Sequence, residues 1–421
     1  MPVLRLITER FAAERPFGGL AVAACLHVTA ETAGLVHALK AGGARVCLAA
    51  SNPLSTQDDV AAALAADGAA AVFARAGVDQ FGYREHIHRA LDCGPAGPPG
   101  HAEHAEDAAP GGPGAGGPPG PDLIIDDGGD LVNTLCAERP ELVAGVRGGC
   151  ESTTTGVIRL RRMAEEGALA FPMVAADATT TKRMFDSTCG TGQSAIDGIL
   201  RATNTLLAGR VVVVAGFGPC GRGIAERAKG LGAQVVVTEV DPVRALEAVL
   251  HGYRVLPMRE AAPAGEVFIT ATGSRDVIAA GHLPLLRDGA ILANAGHFDA
   301  EIDVRALGGA AVKVTRGVRP HADEYTLDDG RRLVLLAEGR VVNLVAAEGN
   351  PPEVMDVSFA GQALALRWLA RDHAGLPPGV HGVPAAIDEQ IARLTLESGG
   401  TRIDTLTPAQ HDYLNSWRPG G

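Results

Sequence analysis

The strongest constraint on the fold of this chain is a glycine-rich turn between an apolar run and a helical segment. The letters GFGPCG, residues 216–221, fit the pattern G-x-G-x-x-G, follow the apolar run 210–215 and open a predicted helix over 223–231. A second run of this kind, 234–238, is followed directly by Glu239. In this context bare glycine backbone approaches a pyrophosphate, and the acid binds ribose hydroxyls. The pattern predicts a dinucleotide site that includes Gly216, Gly218, Gly221 and Glu239.

The acid at position 239 favours NAD over NADP, because a carboxylate binds a free 2′-hydroxyl and repels a 2′-phosphate. Arg222 and Arg244 lie nearby in the sequence and could accommodate a phosphate, so NADP stays a lesser alternative. A glycine-rich turn that binds nothing is the simpler explanation, but the complete strand–turn–helix–strand context argues against it.

Short apolar runs alternate with helical stretches in two parts of the 421-residue chain. The predicted strands are 20–25, 44–49, 70–73, 211–215, 235–238, 267–270, 291–293 and 341–345. Helices over 32–41 and 56–66 separate the first runs. This alternation is typical of parallel sheets with helices on both faces. The chain is therefore predicted to be α/β, with two Rossmann-like doubly wound domains and a ligand cleft between them.

Composition excludes several other classes of protein. The net charge is −12 and no dense basic run occurs, which argues against nucleic acid or an anionic membrane as a partner. No apolar run is long enough to span a bilayer. The seven cysteines form no C-x-x-C pair, which argues against a zinc ribbon, a disulfide framework and any metal site of that kind. We expect a reduced, cytoplasmic protein.

Residues 94–120 differ from the rest of the chain, because they are rich in glycine and proline and lack apolar periodicity. Such a composition cannot offset the entropy cost of ordering, and it predicts a disordered loop inserted into a folded domain. His101 and His104 within it are expected to be solvated rather than metal-binding.

Several polar segments occur in a fixed order: NPLSTQDD (52–59), IIDDGGDL (124–131), TTTGV (153–157) and GHFDAEIDV (296–304). Taken singly, each has a simpler explanation, such as a tight turn or a helix cap. Together they resemble the adenosylhomocysteinase (S-adenosylhomocysteine hydrolase) family, over a stretch from about Leu20 to about Leu414. The resemblance implies a tightly held NAD that oxidises the 3′-hydroxyl of a nucleoside. A base then removes the acidified 4′ proton, the 5′ substituent leaves, water adds, and the ketone is reduced again.

The resemblance also implies roles for individual residues. Lys182 and Asp186 are expected to contact the ribose hydroxyls, with a buried Lys182 of lowered pKa as the base for the 3′-hydroxyl. Asp127, His27 and His297 are expected to form the acid–base set around the 4′ and 5′ carbons. The expected contacts to the cofactor, beyond the glycine turn and Glu239, are Thr153, Thr154, Thr155, Arg244 and Asn343. The expected substrate-binding residues are Thr29, Glu31, Ser55, Ser152, Ser187 and Asn350, and no metal is expected.

The departures from the family pattern fall on the walls of the predicted pocket. Ser152 replaces a second acidic residue after Glu151, Ser187 replaces an asparagine, and Asn350 replaces a histidine. Replacing an acid with serine at 152 removes a carboxylate and opens space beside the ribose. Because a pocket built for one polar group rejects analogues that lack it, these changes argue for an altered substrate.

Three hypotheses follow. The first is a specialised nucleoside dehydratase that stops after elimination and gives a 4′,5′-unsaturated sugar, as in nucleoside-antibiotic biosynthesis. The second is a genuine S-adenosyl-L-homocysteine hydrolase that gives adenosine and homocysteine. The third is an inactive NAD-binding regulatory homologue, which the joint retention of the five acid–base residues argues against.

The resemblance further predicts the organisation of the chain. Residues 1–190 would form a substrate-binding domain completed by about 351–378, residues 191–350 would form the NAD-binding domain, and 379–421 would be a C-terminal segment truncated relative to the family. A homo-oligomer, either a tetramer or a dimer, is also expected.

Overall fold

The computed structural model describes residues 1–93 and 120–417. Most of the predicted disordered insertion, including His101 and His104, lies outside the described residues.

Two sheets dominate the structure. Its strands are, in chain order, β1 (Ala21–Leu26), β2 (Arg45–Ala50), β3 (Ala71–Phe73), β4 (Leu123–Asp126), β5 (Gly148–Glu151), β6 (Pro172–Ala175), β7 (Val211–Ala215), β8 (Gln234–Thr238), β9 (Arg254–Val255), β10 (Val267–Thr270), β11 (Ala290–Asn294), β12 (Ala311–Arg319), β13 (Ala322–Leu327), β14 (Arg332–Leu336) and β15 (Gly379–Gly382). All residues of β1 and β4 are buried and, apart from Asp126 at the end of β4, apolar, as expected for strands covered by helices on both faces.

The first sheet has the order β15-β6-β5-β4-β1-β2-β3, and its strand pairs are parallel. The second sheet has the order β12-β13-β14-β11-β10-β7-β8-β9, and it is parallel except for the β12-β13-β14 edge. The predicted α/β class with two doubly wound sheets is thus confirmed. Strand β15 extends the first sheet, so part of the predicted C-terminal segment belongs to that layer.

Helices connect the strands of both sheets. They are α1 (Pro2–Glu14), α2 (Ala30–Ala41), α3 (Asp58–Ala66), α4 (Gln80–Leu91), α5 (Asp130–Glu138), α6 (Pro140–Val143), α7 (Thr154–Glu165), α8 (Thr180–Lys182), α9 (Thr191–Thr203), α10 (Pro219–Gly230), α11 (Pro242–Leu250), α12 (Met258–Ala261), α13 (Val304–Ala310), α14 (Val342–Val345), α15 (Pro352–Asp372), α16 (Ala385–Ser398) and α17 (Pro408–Leu414). A π-helical segment, Arg183–Gly190, joins α8 to α9. In residues 1–93 and 120–417, no helix combines the length and apolar character needed to span a bilayer.

Each sheet has a point where the strand order reverses, between β1 and β4 in the first and between β7 and β10 in the second. Ligands of open α/β sheets bind in the crevice outside the carboxyl ends of strands at such points. A ligand site is therefore expected at the residues that follow β1, β4, β7 and β10.

Two sequence expectations are wrong. The run 341–345 is not a strand, because β14 takes the place beside β11, and Val341 makes only an isolated bridge to Asn294 before the helical turn α14. A short apolar run does not by itself distinguish a strand from a helical turn. Cys47 and Cys93 form a disulfide, although their spacing gave no sign of one. Five cysteines of the described chain are free.

Candidate functional site

Two histidines and an aspartate meet where the two sheets face each other. His27 follows β1, Asp127 follows β4, and His297 comes from the loop after β11 of the second sheet. His27 Nε2 lies 3.5 Å from Asp127 Oδ2, and His297 Nδ1 lies 3.8 Å from Asp127 Oδ1. We call these three side chains the acid–base cluster. One ligand atom from each lies within 4.8 Å of the others, a spacing that a metal ion could also use, so the expected lack of a metal stays a prediction.

The environment of His27 favours a neutral imidazole. Burial lowers the pKa of His27, although the charge of Asp127 acts in the opposite direction. Its Nδ1 lies 2.5 Å from the hydroxyl of Ser55, which fixes the orientation of the ring. Ser55 contacts His27 but does not line the cavity. The resemblance to the family had predicted it as a substrate contact. A neutral, oriented imidazole can accept a proton at Nε2.

A second group of titratable side chains lies at the end of α8 and in the π-helical segment that follows it. Lys182 ends α8, and Asp186 lies in the π-helical turn that follows, a type of distortion frequent at functional sites. Lys182 Nζ lies 3.6 Å from Asp186 Oδ2, and both side chains are about 15% exposed or less. We call Lys182 and Asp186 the ribose pair.

The predicted lowered pKa of Lys182 is wrong. Burial does lower it, but the negative charges around the ammonium, above all that of Asp186, outweigh burial and raise the pKa of Lys182 overall. Lys182 is therefore a cation at neutral pH. It suits the stabilisation of negative charge on a substrate oxygen better than the acceptance of a proton.

A hydrogen-bonded chain holds Asp186 in place. Asn350 Nδ2 donates to Asp186 Oδ1, and Ser358 Oγ donates to Asp186 Oδ2, each at 2.9 Å. Ser194 Oγ donates to Asn350 Oδ1 at 2.9 Å, and Asn343 Nδ2 donates to Ser194 Oγ at 3.1 Å. Ser194 and Ser358 were not predicted, because nothing in the sequence distinguishes them from other small polar residues on helices.

The glycine turn shapes the second sheet at its reversal point. Gly216 has a φ of +93°, and a Cβ on Gly221 would lie 1.9 Å from the Gly216 oxygen, so neither position tolerates a side chain. Glu239 accepts hydrogen bonds from the backbone N–H groups of Phe217, Val240 and Asp241. The predicted residues Gly216, Gly221 and Glu239 thus fix the shape of the turn. Gly218, the fourth predicted residue, lines the cavity itself.

Other predicted cofactor contacts line the same cavity: Thr153, Thr154, Thr155, Arg244 and Asn343. Thr153 caps α7 by accepting from Gly156 N at 2.9 Å, and Thr154 donates to Asp177 Oδ2 at 3.0 Å. Arg244 Nη1 lies 3.6 Å from the place a Cβ would take on Gly218, beside the turn that would hold a pyrophosphate.

The chemistry of these groups fits a dinucleotide. The Oδ1 atom of Asn343 is buried in the cavity wall and has no hydrogen-bond partner within the described residues. A carboxamide donor would satisfy that atom, since buried polar atoms are rarely left without a partner. The start of α10 at Pro219 and the unobstructed backbone of Gly218 suit the pyrophosphate.

Most of the predicted substrate contacts line the same cavity. Thr29 and Glu31, at the start of α2, line the cavity together with Ser152, Ser187 and Asn350. Helix α15 adds Gln362, which is 3% exposed and whose Oε1 has no partner in the described part of the chain. Gln362 escaped the sequence reasoning because it lies within a mostly apolar helix.

Two further acids lie buried behind the acid–base cluster. Asp126 ends β4 and Glu151 ends β5, and their Cα atoms are partners in the sheet register. Burial raises the pKa of Asp126 to about 7, and burial with the nearby charges of Asp126 and Asp127 raises the pKa of Glu151. The sequence predicted no role for Glu151, which was named only as the residue before Ser152.

The fold and the cavity define a class of protein. A dinucleotide turn, a buried lysine–carboxylate pair and a histidine–aspartate cluster line one cleft between two doubly wound sheets. This combination defines an enzyme of the α/β class that uses a bound dinucleotide.

Comparison with known proteins points to one enzyme family. Residues 1–141 match the family model for S-adenosyl-L-homocysteine hydrolase, and residues 187–349 match its NAD-binding domain. The chain is 50% identical to an adenosylhomocysteinase of Nostoc sp. and 52% identical to one of Aquifex aeolicus, with 100% of this chain covered and 92% and 94% of the relatives. It is also 50% identical to an S-inosyl-L-homocysteine hydrolase of Methanosarcina mazei, with 100% and 95% covered. The chain belongs to the S-adenosyl-L-homocysteine hydrolase family, and NAD is its cofactor.

Proposed function

We propose that this chain breaks the bond between the 5′ carbon of an adenine nucleoside and its substituent, by transient oxidation of the 3′ carbon. The observation that carries this proposal is the convergence of the ribose pair, the acid–base cluster and the dinucleotide turn on one cavity. The names of relatives that are about half identical to it support S-adenosyl-L-homocysteine as the substrate, with adenosine and homocysteine as products.

The ribose pair serves the oxidation step. Bound NAD would supply a reversible hydride acceptor for the 3′ carbon, and the glycine turn and Asn343 would hold it beside the ribose. Lys182, as an ammonium, stabilises the charge that develops on the 3′ oxygen, and Asp186 accepts the hydroxyl proton. Asn350 and Ser358 hold that carboxylate at a fixed angle.

The acid–base cluster serves the elimination. The 3′ ketone makes the 4′ proton acidic, and a member of the cluster removes that proton while the 5′ carbon–sulfur bond breaks with its electron pair on sulfur. Neutral His27 can accept the proton at Nε2, because Asp127 beside it stabilises the imidazolium that forms. Water then adds its oxygen at the 5′ carbon, and a proton returns to the 4′ carbon.

Glu31 supports adenine as the base. A half-buried carboxylate at the start of α2 can accept a hydrogen bond from an exocyclic amine, whereas the carbonyl oxygen of hypoxanthine would face it with another acceptor. The relative of equal identity named for an inosyl substrate makes this choice worth testing.

The test is incubation of the purified, NAD-loaded protein with S-adenosyl-L-homocysteine and, separately, with S-inosyl-L-homocysteine. We expect free homocysteine and adenosine from the first and much slower release from the second. The absence of homocysteine from both would contradict the hydrolase.

A second candidate is dehydration of a nucleoside to a 4′,5′-unsaturated sugar, with loss of the 5′-hydroxyl as water. The observation that favours it is Ser152, a buried cavity residue at the position of an acid in the family pattern. Ser152 Oγ donates to the backbone oxygen of Asp126 at 3.3 Å, so the side chain turns towards the strand end. The space left beside the ribose suits a more substituted sugar.

Mass spectrometry distinguishes the candidates. A dehydratase gives a product lighter than its nucleoside by one water, and it leaves S-adenosyl-L-homocysteine intact. An inactive regulatory homologue would give neither product and no reduced nicotinamide with any nucleoside.

A further inference from the structure

Glu151 connects the loop after β4 to the start of α7, although it does not line the cavity. Its Oε1 accepts from Gly128 N at 3.0 Å, from Thr153 N at 2.8 Å and from Thr153 Oγ1 at 2.7 Å. The other oxygen, Oε2, is buried without a hydrogen-bond partner among the described residues. The residue itself is 0% exposed.

The Gly128 contact reaches the acid–base cluster directly. Gly128 follows Asp127, has a φ of +109°, and a Cβ on it would lie 2.4 Å from His297 Nε2. The loop therefore packs tightly against His297. Its backbone N–H at Gly128 donates to the carboxyl of Glu151. A shift of this loop would move Asp127 relative to both histidines.

The Thr153 contacts anchor the same oxygen to the start of α7. A Cβ on Gly156 would lie 2.2 Å from Cδ of Glu151, so the carboxyl fits closely under the first helical turn. Thr153 also accepts from Gly156 N, and this cap does not depend on Glu151. The start of α7 can thus serve as a fixed support for the carboxyl.

We propose that Glu151 is a positioning residue: through one oxygen shared between Gly128 and Thr153, it sets the place of Asp127 against His27 and His297. This inference rests on the proposed function, because it assigns Glu151 to the proton-transfer half of that chemistry. The role depends on the reach of the side chain, since one methylene fewer cannot span both partners.

The experiment uses the full-length, NAD-loaded protein with adenosine as the probe and two readouts. Absorbance of reduced nicotinamide reports the oxidation by the ribose pair, and deuterium uptake at the 4′ carbon in heavy water reports the acid–base cluster. The variants are Glu151→Gln, which keeps the length, and Glu151→Asp, which shortens the side chain. Glu165→Asp, at the exposed end of α7, is the matched control.

We expect Glu151→Asp to slow 4′ exchange by about 100-fold, the cost of a misplaced catalytic group, while the absorbance signal stays close to wild type. Glu151→Gln should retain both signals, and so should the control. An unchanged ratio of the two signals in Glu151→Asp would overturn the inference. Equal loss of both signals in the two Glu151 variants would also overturn it, because that outcome indicates general damage.

The result with the wild-type protein shows whether a negative outcome concerns the role of Glu151 or the proposed function itself. If wild-type protein gives neither signal with adenosine, the proposed chemistry fails. If wild type gives both signals and the variants match it, only the role of Glu151 fails.

Discussion

At the scale of single residues, the two groups of titratable side chains in the cavity differ in protonation state. Lys182 is held as a cation by surrounding acids, while burial keeps His27 neutral. Opposite protonation states within one cavity suit a cycle that stabilises an oxygen anion and removes a carbon-bound proton.

Replacing Asp186 with Asn tests the oxidation half. The amide keeps the shape but cannot accept the hydroxyl proton, so nucleoside-dependent formation of reduced nicotinamide should fall by about 10²- to 10⁴-fold. Asp197→Asn is the matched control, because Asp197 is an exposed helix residue paired with Arg201. Stopped-flow absorbance measures both, and a rate near wild type for Asp186→Asn would contradict the assignment.

The protonation of His27 gives a test by NMR. We expect its imidazole to titrate below 6.5 in the wild type, because burial disfavours the charged form. Asp127→Asn removes a negative charge that favours the imidazolium, so the pKa of His27 should fall further. Assignment uses the spectrum of His27→Gln, and an upward shift in Asp127→Asn would be inconsistent with this electrostatic account.

At the scale of elements, the site is a set of loops after parallel strands. β1, β4 and β5 deliver His27, Asp127 and Ser152, and the glycine turn after β7 faces them. The loop after β4 is the most constrained, because two consecutive glycines, Gly128 and Gly129, both have positive φ.

Alanine substitutions at Gly128 and Gly129 distinguish the effect of backbone strain from the effect of displacing His297. Both positions strain the backbone by about 1–2 kcal/mol, but only at Gly128 would the Cβ meet His297, since the nearest atom to a Cβ on Gly129 lies 3.6 Å away. We expect Gly128→Ala to lower turnover by about 100-fold, and Gly129→Ala to lower thermal stability with turnover near wild type. Equal turnover in the two variants would argue against a tight loop.

Local patterns predicted the glycine turn and the strands β1, β2, β3, β7, β8, β10 and β11, because each depends on a short stretch of sequence. The acid–base residues came instead from the resemblance to the family. The run 341–345 was misassigned since its structure depends on β14, which already occupies the neighbouring position. The pKa of Lys182 depends on how burial balances against nearby charges such as that of Asp186, and this balance exists only in the folded chain. The contact of Ser55 with His27 and that of Glu151 with Gly128 join residues that are distant in the chain, so no local pattern indicates them.

At the scale of the whole molecule, the cavity exists only where the two sheets meet. His27 and Asp127 come from the first sheet, and His297 comes from the second. The predicted domain boundaries, the homo-oligomer and the cytoplasmic location stay predictions. Exposed Val243, Leu246 and Leu250 on α11 give the second sheet an apolar surface compatible with self-association.

The disulfide between Cys47 and Cys93 gives a prediction for the intact chain. It links β2 of the first sheet to the chain just after α4, with a sequence separation of 46 residues. A thiol reagent should detect five cysteines in protein unfolded without a reductant and seven after reduction. Detection of seven thiols before reduction would contradict the bond.

The most direct test of the central claim follows reduced nicotinamide and product together during one turnover of S-adenosyl-L-homocysteine by the NAD-loaded protein. The account predicts a transient absorbance of reduced nicotinamide that decays as adenosine and homocysteine appear, with no net reduction at the end. Product formation without any transient, or reduced nicotinamide that accumulates in step with product, would contradict it.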